Sequence, residues 1–176
     1  MFIFWTTILQ IYTHILSYDI SLSKLLTKGG EKYMTHNNGN AQVFLGAEGI
    51  KDIYNMSLSA DKIDVVCFSS TYAGVIGDYF DKTYVPKLFR SNIMTREILP
   101  DTAGNRKDAL QKDQTKNQVA FIEIKQKSES DLLIFMGRVA MISYNQKTPF
   151  ALIIEDKEMV ANLQNQFDSL WGSLKK

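Results

Sequence analysis

The sequence predicts an α/β domain in which a mixed β-sheet carries helices on both faces. Between residues 41 and 116, apolar runs alternate with amphipathic segments, an order that places helices against a partly parallel sheet. From residue 119 to residue 155, several short strands follow one another and predict a meander. Hydrophobic residues make up 45% and charged residues 22% of the 176-residue chain, as in ordinary globular domains.

The first segment of the chain, residues 1–18, contains no charged side chain. Apolar residues recur at steps of three and four as far as residue 26, which predicts a coiled-coil-like helix over residues 1–28. A packing or dimerising helix, a signal or membrane anchor, and an artefact of the chain start remain three interpretations of it. The Gly- and Asn-rich residues 29–40 predict a linker, so the main domain is expected over residues 41–176. The seam of the predicted helix consists of Trp5, Ile8, Tyr12, Ile15, Leu22 and Leu26.

The main domain is expected to begin with two strand-helix units and a third strand. The second strand is a β-branched run of the kind found in strands buried on both faces. Pro86 interrupts the pattern of the second helix, so a kink or a break is expected there. Residues 102–116 are polar and predict a solvent-facing helix or loop. The predicted elements are a strand over 41–45, a helix over 47–59, a strand over 63–69, a helix over 74–89 and a strand over 93–99.

The last third of the chain is predicted to form a meander closed by a helix. Its first strand alternates and directs Val119, Phe121 and Ile124 inward. The tripeptide Met136-Gly137-Arg138 splits two apolar runs, which predicts a hairpin. The predicted elements are a strand over 119–125, a hairpin over 131–144, a strand over 149–155 and an amphipathic helix over 157–174.

Composition argues against several classes of functional site. The 20 Lys+Arg and 19 Asp+Glu residues lack the basic excess typical of nucleic-acid-binding domains. The single cysteine, Cys67, provides no internal disulfide, and together with two histidines it does not supply an ordinary zinc site. Both histidines, His14 and His36, precede the main domain, so neither a Ser-His-Asp nor a Cys-His arrangement is expected. We therefore expect no catalytic residues, no metal and no cofactor.

Polar side chains cluster where two of the predicted strands end. In open α/β sheets, ligands bind in the crevice beyond the carboxyl ends of the strands. The hydroxyl groups after the second strand would bind polyol or phosphate oxygens, and the tyrosine beside them would stack on a sugar ring. Helix capping, turn formation and salt bridges are the alternative roles for the same residue types. The candidate ligand-binding residues are Ser69, Ser70, Thr71, Tyr72, Arg96, Asp101 and Thr102.

Three blocks of sequence carry a family resemblance. They read VFLGAEGIKDIYNMSL, FDKTYVPKLFRSNIMTREILPDT and GRVAMISYNQKTPFALIIEDKEMVANLQNQFDSLW, and they lie within residues 41–174. In order and spacing, this stretch resembles the C-terminal effector domain of TrmB-like transcriptional regulators. The resemblance implies a phospholipase D-like α/β fold that serves as a ligand-sensing module. In that family the module follows a winged helix-turn-helix domain and a coiled-coil dimerisation helix.

The catalytic motif of phospholipase D is absent from the sequence. That motif reads His-x-Lys-x4-Asp, and its histidine attacks phosphorus. Here His14 is followed by Ile-Leu and His36 by Asn-Asn, so neither histidine begins the motif. The hairpin over residues 132–143 nevertheless resembles the strand pair that lies beside the motif in that family. The resemblance therefore predicts a non-catalytic module.

The same resemblance implies the partners of the chain. Residues 1–40 are too short and too poor in basic residues for a winged helix-turn-helix, so we expect contact with DNA only through a module absent from this chain. We expect a homodimer formed through residues 1–28, a small-molecule effector such as a sugar or a phosphorylated metabolite, and a cytoplasmic location without membrane association. The alternatives are a phospholipase D-type phosphodiesterase or nuclease with an atypical site, and an interaction domain anchored to a membrane by residues 1–18.

Overall fold

A seven-stranded mixed β-sheet organises residues 40–175, the part of the chain that this computed structural model describes. The predicted N-terminal helix, and all but the last residue of the predicted linker, lie outside the described residues. The strands are β1 (Ala41–Leu45), β2 (Lys62–Cys67), β3 (Met94–Pro100), β4 (Asn117–Ile122), β5 (Ser130–Phe135), β6 (Arg138–Ser143) and β7 (Phe150–Ile154). Their order across the sheet is β1-β7-β6-β5-β2-β3-β4.

Strand direction divides the sheet into two halves. Strands β2, β3 and β4 are parallel, whereas β5 runs antiparallel to β2 and the pairs β5-β6, β6-β7 and β1-β7 are all antiparallel. As a result, the carboxyl ends of β2, β3, β4 and β6 meet the amino ends of β5 and β7 at one edge of the sheet. The register pair Cys67 and Asp131 marks this edge at the centre of the sheet.

Helices cover both faces of the sheet, as the sequence predicts. On one face, α1, α2, a π-helical turn and α3 pack against the strands around Ile63, Leu133 and Phe135. On the other face, α5 places Phe167 and Trp171 on a second core. The helical elements are α1 (Gly46–Ser57), α2 (Tyr72–Ile76), the π-helical turn (Phe80–Tyr84), α3 (Val85–Arg90), α4 (Ala103–Ala109) and α5 (Lys157–Leu174). No helix among residues 40–175 is both long enough and apolar enough to cross a membrane.

The two-sided burial explains the apolar character of the central strands. Along β5, Leu133 and Phe135 point into the first core, whereas Ile134 points into the second. Successive side chains of a strand face opposite sides of the sheet, so a strand covered on both sides needs apolar residues at every position. The predicted hairpin is also confirmed: Met136 (φ 49°) and Gly137 (φ 69°) form the two-residue turn between β5 and β6.

The predicted helix over residues 74–89 is wrong as a single element. Helix α2 ends at Gly77, whose φ of 60° a continuing right-handed helix does not accommodate. Pro86 lies in the first turn of α3, directly after the π-helical turn. The π-helical turn between these points brings Phe80 and Tyr84 onto the sheet side.

The bounds of α4 and β4 also differ from the prediction. Helix α4 occupies only the start of the predicted polar segment, because Thr102 caps it and its last turn is followed by tight turns. Strand β4 ends at Ile122, so Ile124 lies beyond the sheet. The loop that starts there returns the chain to the same edge for β5.

Candidate ligand-binding site

A cavity of about 340 Å³ lies between the sheet and the helical layer over β2, β3 and β5. Its size falls at the small end of the range of roughly 300–1,000 Å³ that small-molecule sites occupy. Buried aliphatic side chains of the strands form its floor. Aromatic rings form one wall, and polar side chains of β3 and α4 with the residues after α4 form the other.

The aromatic wall is built around Phe80. Its ring centroid lies 4.8 Å from that of Tyr72, 5.3 Å from that of Tyr54 and 5.4 Å from that of Tyr84. Tyr54 and Tyr84 are buried, whereas Phe80 and Tyr72 are half-buried, so part of the aromatic surface is available to a ligand. The π-helical turn matters here because it spaces Phe80 and Tyr84 so that both reach the cavity.

The polar wall centres on Glu97. One carboxylate oxygen of Glu97 accepts a hydrogen bond from the Thr95 hydroxyl at 3.0 Å, and the other accepts one from the Lys112 ammonium at 2.5 Å. Asn117 in turn donates its amide to the Thr95 hydroxyl oxygen at 3.0 Å. The Glu97 and Lys112 side chains are 14% and 15% exposed, so this ion pair lies in a partly dehydrated wall of the cavity.

Asp131 closes the end of the cavity near the sheet edge. One of its oxygens accepts the backbone N–H groups of Phe68 and Ser69, each at 3.0 Å, and the other accepts the Ser69 hydroxyl at 2.9 Å. Burial raises the pKa of the Asp131 carboxyl, although these hydrogen bonds oppose the rise. The carboxyl is therefore satisfied within the fold and is held in an environment that disfavours its charge.

Two buried hydroxyl pairs lie behind the aromatic wall. The hydroxyl groups of Tyr54 and Tyr144 form a short hydrogen bond, and the Ser57 hydroxyl lies 3.0 Å from that of Tyr84. Burial raises the pKa of Tyr84 to about 12 and raises that of Tyr144 further above its ordinary range. Burial likewise raises the pKa of the Cys67 thiol, which disfavours the nucleophilic thiolate. Burial therefore disfavours the deprotonated form of these hydroxyl and thiol groups.

The four predicted ligand-binding residues that follow β2 have two different roles in the structure. Ser69 and Tyr72 line the cavity. Ser70 and Thr71 instead donate to Glu129, whose carboxylate accepts both backbone N–H groups at 3.1 Å and the Thr71 hydroxyl at 2.5 Å. The hydrogen bond from Thr71 lowers the pKa of Glu129, and those from Ser70 lower it further. The hydroxyl groups at this edge thus stabilise the loop itself.

Asp101 and Thr102 lie at the same edge but outside the lining of the cavity. Thr102 caps α4, because its hydroxyl oxygen accepts the backbone N–H of Asn105 at 3.1 Å. Asp101 forms a bidentate ion pair with Arg106, whose Nε and Nη2 atoms donate to the two carboxylate oxygens at 2.6 and 2.7 Å. Both residues therefore have the alternative structural roles that the sequence left open.

Arg96 does not belong with the other predicted site residues. It alternates with Thr95 and Glu97 along β3, so its side chain lies on the opposite face of the sheet, under α5. There it donates to Asp64 at 2.7 and 2.6 Å and to Asp168 at 2.6 Å. The alternation of side chains along a strand therefore separates Arg96 from the cavity.

The sequence prediction missed most of the cavity lining. Tyr54 lies on α1, and Phe80 and Tyr84 lie on the π-helical turn, so residues of two separate elements line the cavity together. One signal was present in β3. Thr95 and Glu97 stand two residues apart in β3, which directs two polar groups to one face of the sheet.

A second, shallower depression of about 740 Å³ opens on the outside of the sheet edge. Polar side chains after β6 form its rim, and Thr71 and Glu129 form its inner side. Because it is broad and open, a small ligand would leave much of its surface in water there. Within residues 40–175, no group of three or more His, Cys, Asp or Glu side chains is placed to hold a metal ion.

Comparisons with known proteins relate this fold to others. No protein-family model and no curated protein sequence matches the chain. Among solved structures, the archaeal chromatin protein TrmBL2, described as showing a novel mode of DNA binding, is similar with a TM-score of 0.54 and 14% identity. The match covers 80% of this chain and 55% of TrmBL2, so the chain spans little more than half the length of that protein.

Two further structures are similar over nearly their whole length. NucT from Helicobacter pylori has a TM-score of 0.51 and 13% identity, over 73% of this chain and 93% of NucT. Nuc, a phospholipase D family member from Salmonella typhimurium, also has a TM-score of 0.51 and 13% identity, over 75% of this chain and 93% of Nuc. At these identities the likeness concerns the fold alone. The chain therefore has a phospholipase D-like fold, with a mixed seven-stranded sheet between two helical layers.

Proposed function

We propose that this chain is a non-catalytic ligand-sensing module of the kind found in TrmB-like regulators. The observation that carries the proposal is the cavity over β2, β3 and β5, in which aromatic rings and partly buried polar groups converge. The likeness in fold to TrmBL2 is consistent with a regulatory setting. Binding of a small molecule would act by favouring one arrangement of the module over another.

The chemistry of the chain supports a binding role over a hydrolytic one. Phosphodiester hydrolysis of the phospholipase D type requires a nucleophilic histidine followed two residues later by lysine. Neither His14 nor His36 meets that pattern, and no histidine lies between residues 40 and 175. Burial raises the pKa of Asp131 and of the Cys67 thiol, the nucleophile candidates near the cavity, which disfavours the charged, nucleophilic form of each.

A ligand screen on the full chain tests the proposal. Neutral sugars, phosphorylated metabolites and amines would be titrated by calorimetry, and each binder would be tested again on Phe80→Leu, which keeps apolar volume and removes the aromatic face. We expect at least one class to bind and Phe80→Leu to weaken it by about tenfold. Met94→Leu, an exposed position outside the cavity, is the matched control. Absence of binding by every class would overturn the proposal.

The regulatory role also requires an assembly. We propose a homodimer formed through residues 1–28, with DNA contacted by a separate helix-turn-helix module. Light scattering would compare the solution mass of the full chain with that of a chain lacking residues 1–28. A dimer that becomes a folded monomer on truncation is the expected result. A monomer in both cases would contradict this part of the proposal.

A phosphodiesterase or nuclease is the rival function, because Nuc and NucT share the fold. Turnover of bis(p-nitrophenyl) phosphate by the full chain distinguishes the two. We expect no turnover above that of the buffer. Turnover that Glu129→Gln abolishes would replace the sensing proposal with an enzyme acting at the open depression, where Glu129 lies. Turnover that Glu129→Gln leaves unchanged would indicate a contaminating enzyme.

A further inference from the structure

The charge of the cavity lining points to a class of ligand. Four carboxyl groups line the cavity, those of Asp81, Glu97, Asp108 and Asp131, and Lys112 is the one cation in the lining formed by described residues. The Lys112 ammonium is already paired with Glu97 at 2.5 Å. No free positive charge therefore remains in the lining to hold a phosphate or a carboxylate.

Two of the four carboxyl groups, those of Asp81 and Asp108, are exposed and lie at the mouth of the cavity. Asp81 comes from the π-helical turn and Asp108 from α4, and both are exposed. Neither takes part in a salt bridge among residues 40–175. Burial raises the pKa of the half-buried Tyr72, and the charges of Asp81 and Asp108 raise it further, so both carboxylates lie close enough to this ring to affect its hydroxyl.

The interior of the cavity has the opposite character. Ile63, Leu133 and the rings of Tyr54 and Tyr84 are almost fully buried and provide an apolar floor and inner wall. The half-buried rings of Tyr72 and Phe80, with centroids 4.8 Å apart, lie between this interior and the acidic mouth. Aromatic faces attract cations as well as apolar groups, since the face of the ring carries negative potential.

From this gradient we infer that the cavity binds a small organic amine, with its apolar or aromatic body inside and its ammonium group at Asp81 and Asp108. The inference rests on the proposed sensing function and narrows its effector class. It differs from the expectation of a sugar or a phosphorylated metabolite, because a sugar would leave the apolar floor unmatched and a phosphate would meet two uncompensated carboxylates.

Three probes of similar shape and different charge test the inference: 2-phenylethylamine (+1), 2-phenylethanol (neutral) and 3-phenylpropionate (−1). Each would be titrated into the full chain by calorimetry at low ionic strength. We expect the amine to bind about tenfold more tightly than the alcohol and the carboxylate to bind most weakly. The double variant Asp81→Asn/Asp108→Asn should remove the preference for the amine and leave the affinity for the alcohol unchanged.

A second double variant controls for net charge. Asp61→Asn/Glu123→Gln removes two exposed carboxylates that do not line the cavity, and it should retain the preference for the amine. Equal binding of the alcohol or the carboxylate would overturn the assignment of an amine and leave the sensing function standing. A full preference for the amine in the Asp81→Asn/Asp108→Asn variant would likewise overturn the assignment of an amine and leave the sensing function standing. If neither these probes nor the sugars and phosphorylated metabolites bind, the sensing function fails as well.

Discussion

Asp131 holds Ser69 through two different atoms: its carboxylate accepts the Ser69 backbone N–H at 3.0 Å and the Ser69 hydroxyl at 2.9 Å. Asp131 pairs with Cys67 at the point where the antiparallel pairing of β5 with β2 reaches the sheet edge. The contact with Ser69 therefore joins two neighbouring strands of the sheet at that edge. Glu129 does the same for the next two residues of the loop. The edge of the sheet is therefore assembled by acidic side chains that satisfy backbone donors.

Replacing Asp131 should destabilise the fold in a graded manner. Asp131→Ala leaves the N–H groups of Phe68 and Ser69 without a partner, and we expect a loss of about 2–4 kcal/mol in the free energy of unfolding. Asp131→Asn keeps one carbonyl oxygen for these donors and should lose about 1 kcal/mol. Urea denaturation measures both, with the exposed Asp61→Ala as the control. Equal losses for the two Asp131 variants would contradict the role of the carboxylate oxygens.

The pH dependence of stability should carry the signature of Asp64. Burial alone would raise the pKa of this carboxyl, but hydrogen bonds from Arg96 and Gln164 and the charges of Arg96 and Lys62 outweigh it and lower the pKa. A lowered folded-state pKa contributes stability that is present above the unfolded value of about 3.9 and is lost as the pH falls through the folded value. The difference in unfolding free energy between the native chain and Asp64→Asn should therefore shrink below about pH 4.

The pKa of Asp131 is shifted in the opposite direction to that of Asp64, so its effect on stability should have the opposite pH dependence. Its pKa is raised in the folded state, so its contribution is complete below the unfolded value of about 3.9 and declines as the pH rises towards the folded value. As the pH rises, the native chain should gain stability relative to Asp64→Asn up to about pH 4 and lose stability relative to Asp131→Asn above about pH 4. Chemical denaturation at a series of pH values measures both differences. Two differences with the same slope would show that the environments of the two carboxyls have been misassigned.

The hydrogen bond between the Tyr54 and Tyr144 hydroxyls should appear as a coupling energy. Both residues are buried, at 4% and 1% exposure. Removing one hydroxyl therefore leaves the other hydroxyl buried without this hydrogen bond. We expect Tyr54→Phe and Tyr144→Phe each to cost about 1–2 kcal/mol, and the double variant to cost clearly less than their sum. A double-mutant cycle by denaturation provides the measurement, and strict additivity would argue against the pair.

The β5-β6 turn offers a stabilising substitution. Met136 adopts a φ of 49° and is half exposed, at 54%, so its side chain gains little from packing while its backbone is strained. Asn tolerates this conformation, and Asn-Gly is the preferred pair for such a turn. We expect Met136→Asn to raise the free energy of unfolding by about 0.5–1 kcal/mol.

Gly137 supplies the converse test at the next position. It has a φ of 69° with open space where a Cβ would lie, so Gly137→Ala should lose about 1 kcal/mol from backbone strain alone. Thermal denaturation of both turn variants would be compared with Met94→Asn, an exposed methionine in extended backbone. A destabilising Met136→Asn would mean that the turn does not need a residue tolerant of positive φ.

Periodicity along the chain was sufficient for the fold class. The apolar central strands, the amphipathic closing helix over residues 157–174 and the Met136-Gly137 turn each follow from local pattern, since the period of burial and the tolerance for positive φ are properties of short segments. The family resemblance led to the same phospholipase D-like fold that the structural comparisons support.

Which side chains share a site was decided by the tertiary structure alone. Arg96 and Glu97 are adjacent in sequence, yet one lies beneath α5 and the other in the cavity, because neighbouring residues of a strand face opposite sides of the sheet. Asp131 is 62 residues from Ser69 but is its hydrogen-bond partner, since β5 returns antiparallel beside β2. Local pattern carries no information about such long-range register, and it is this register that creates both the loop at the sheet edge and the cavity behind it.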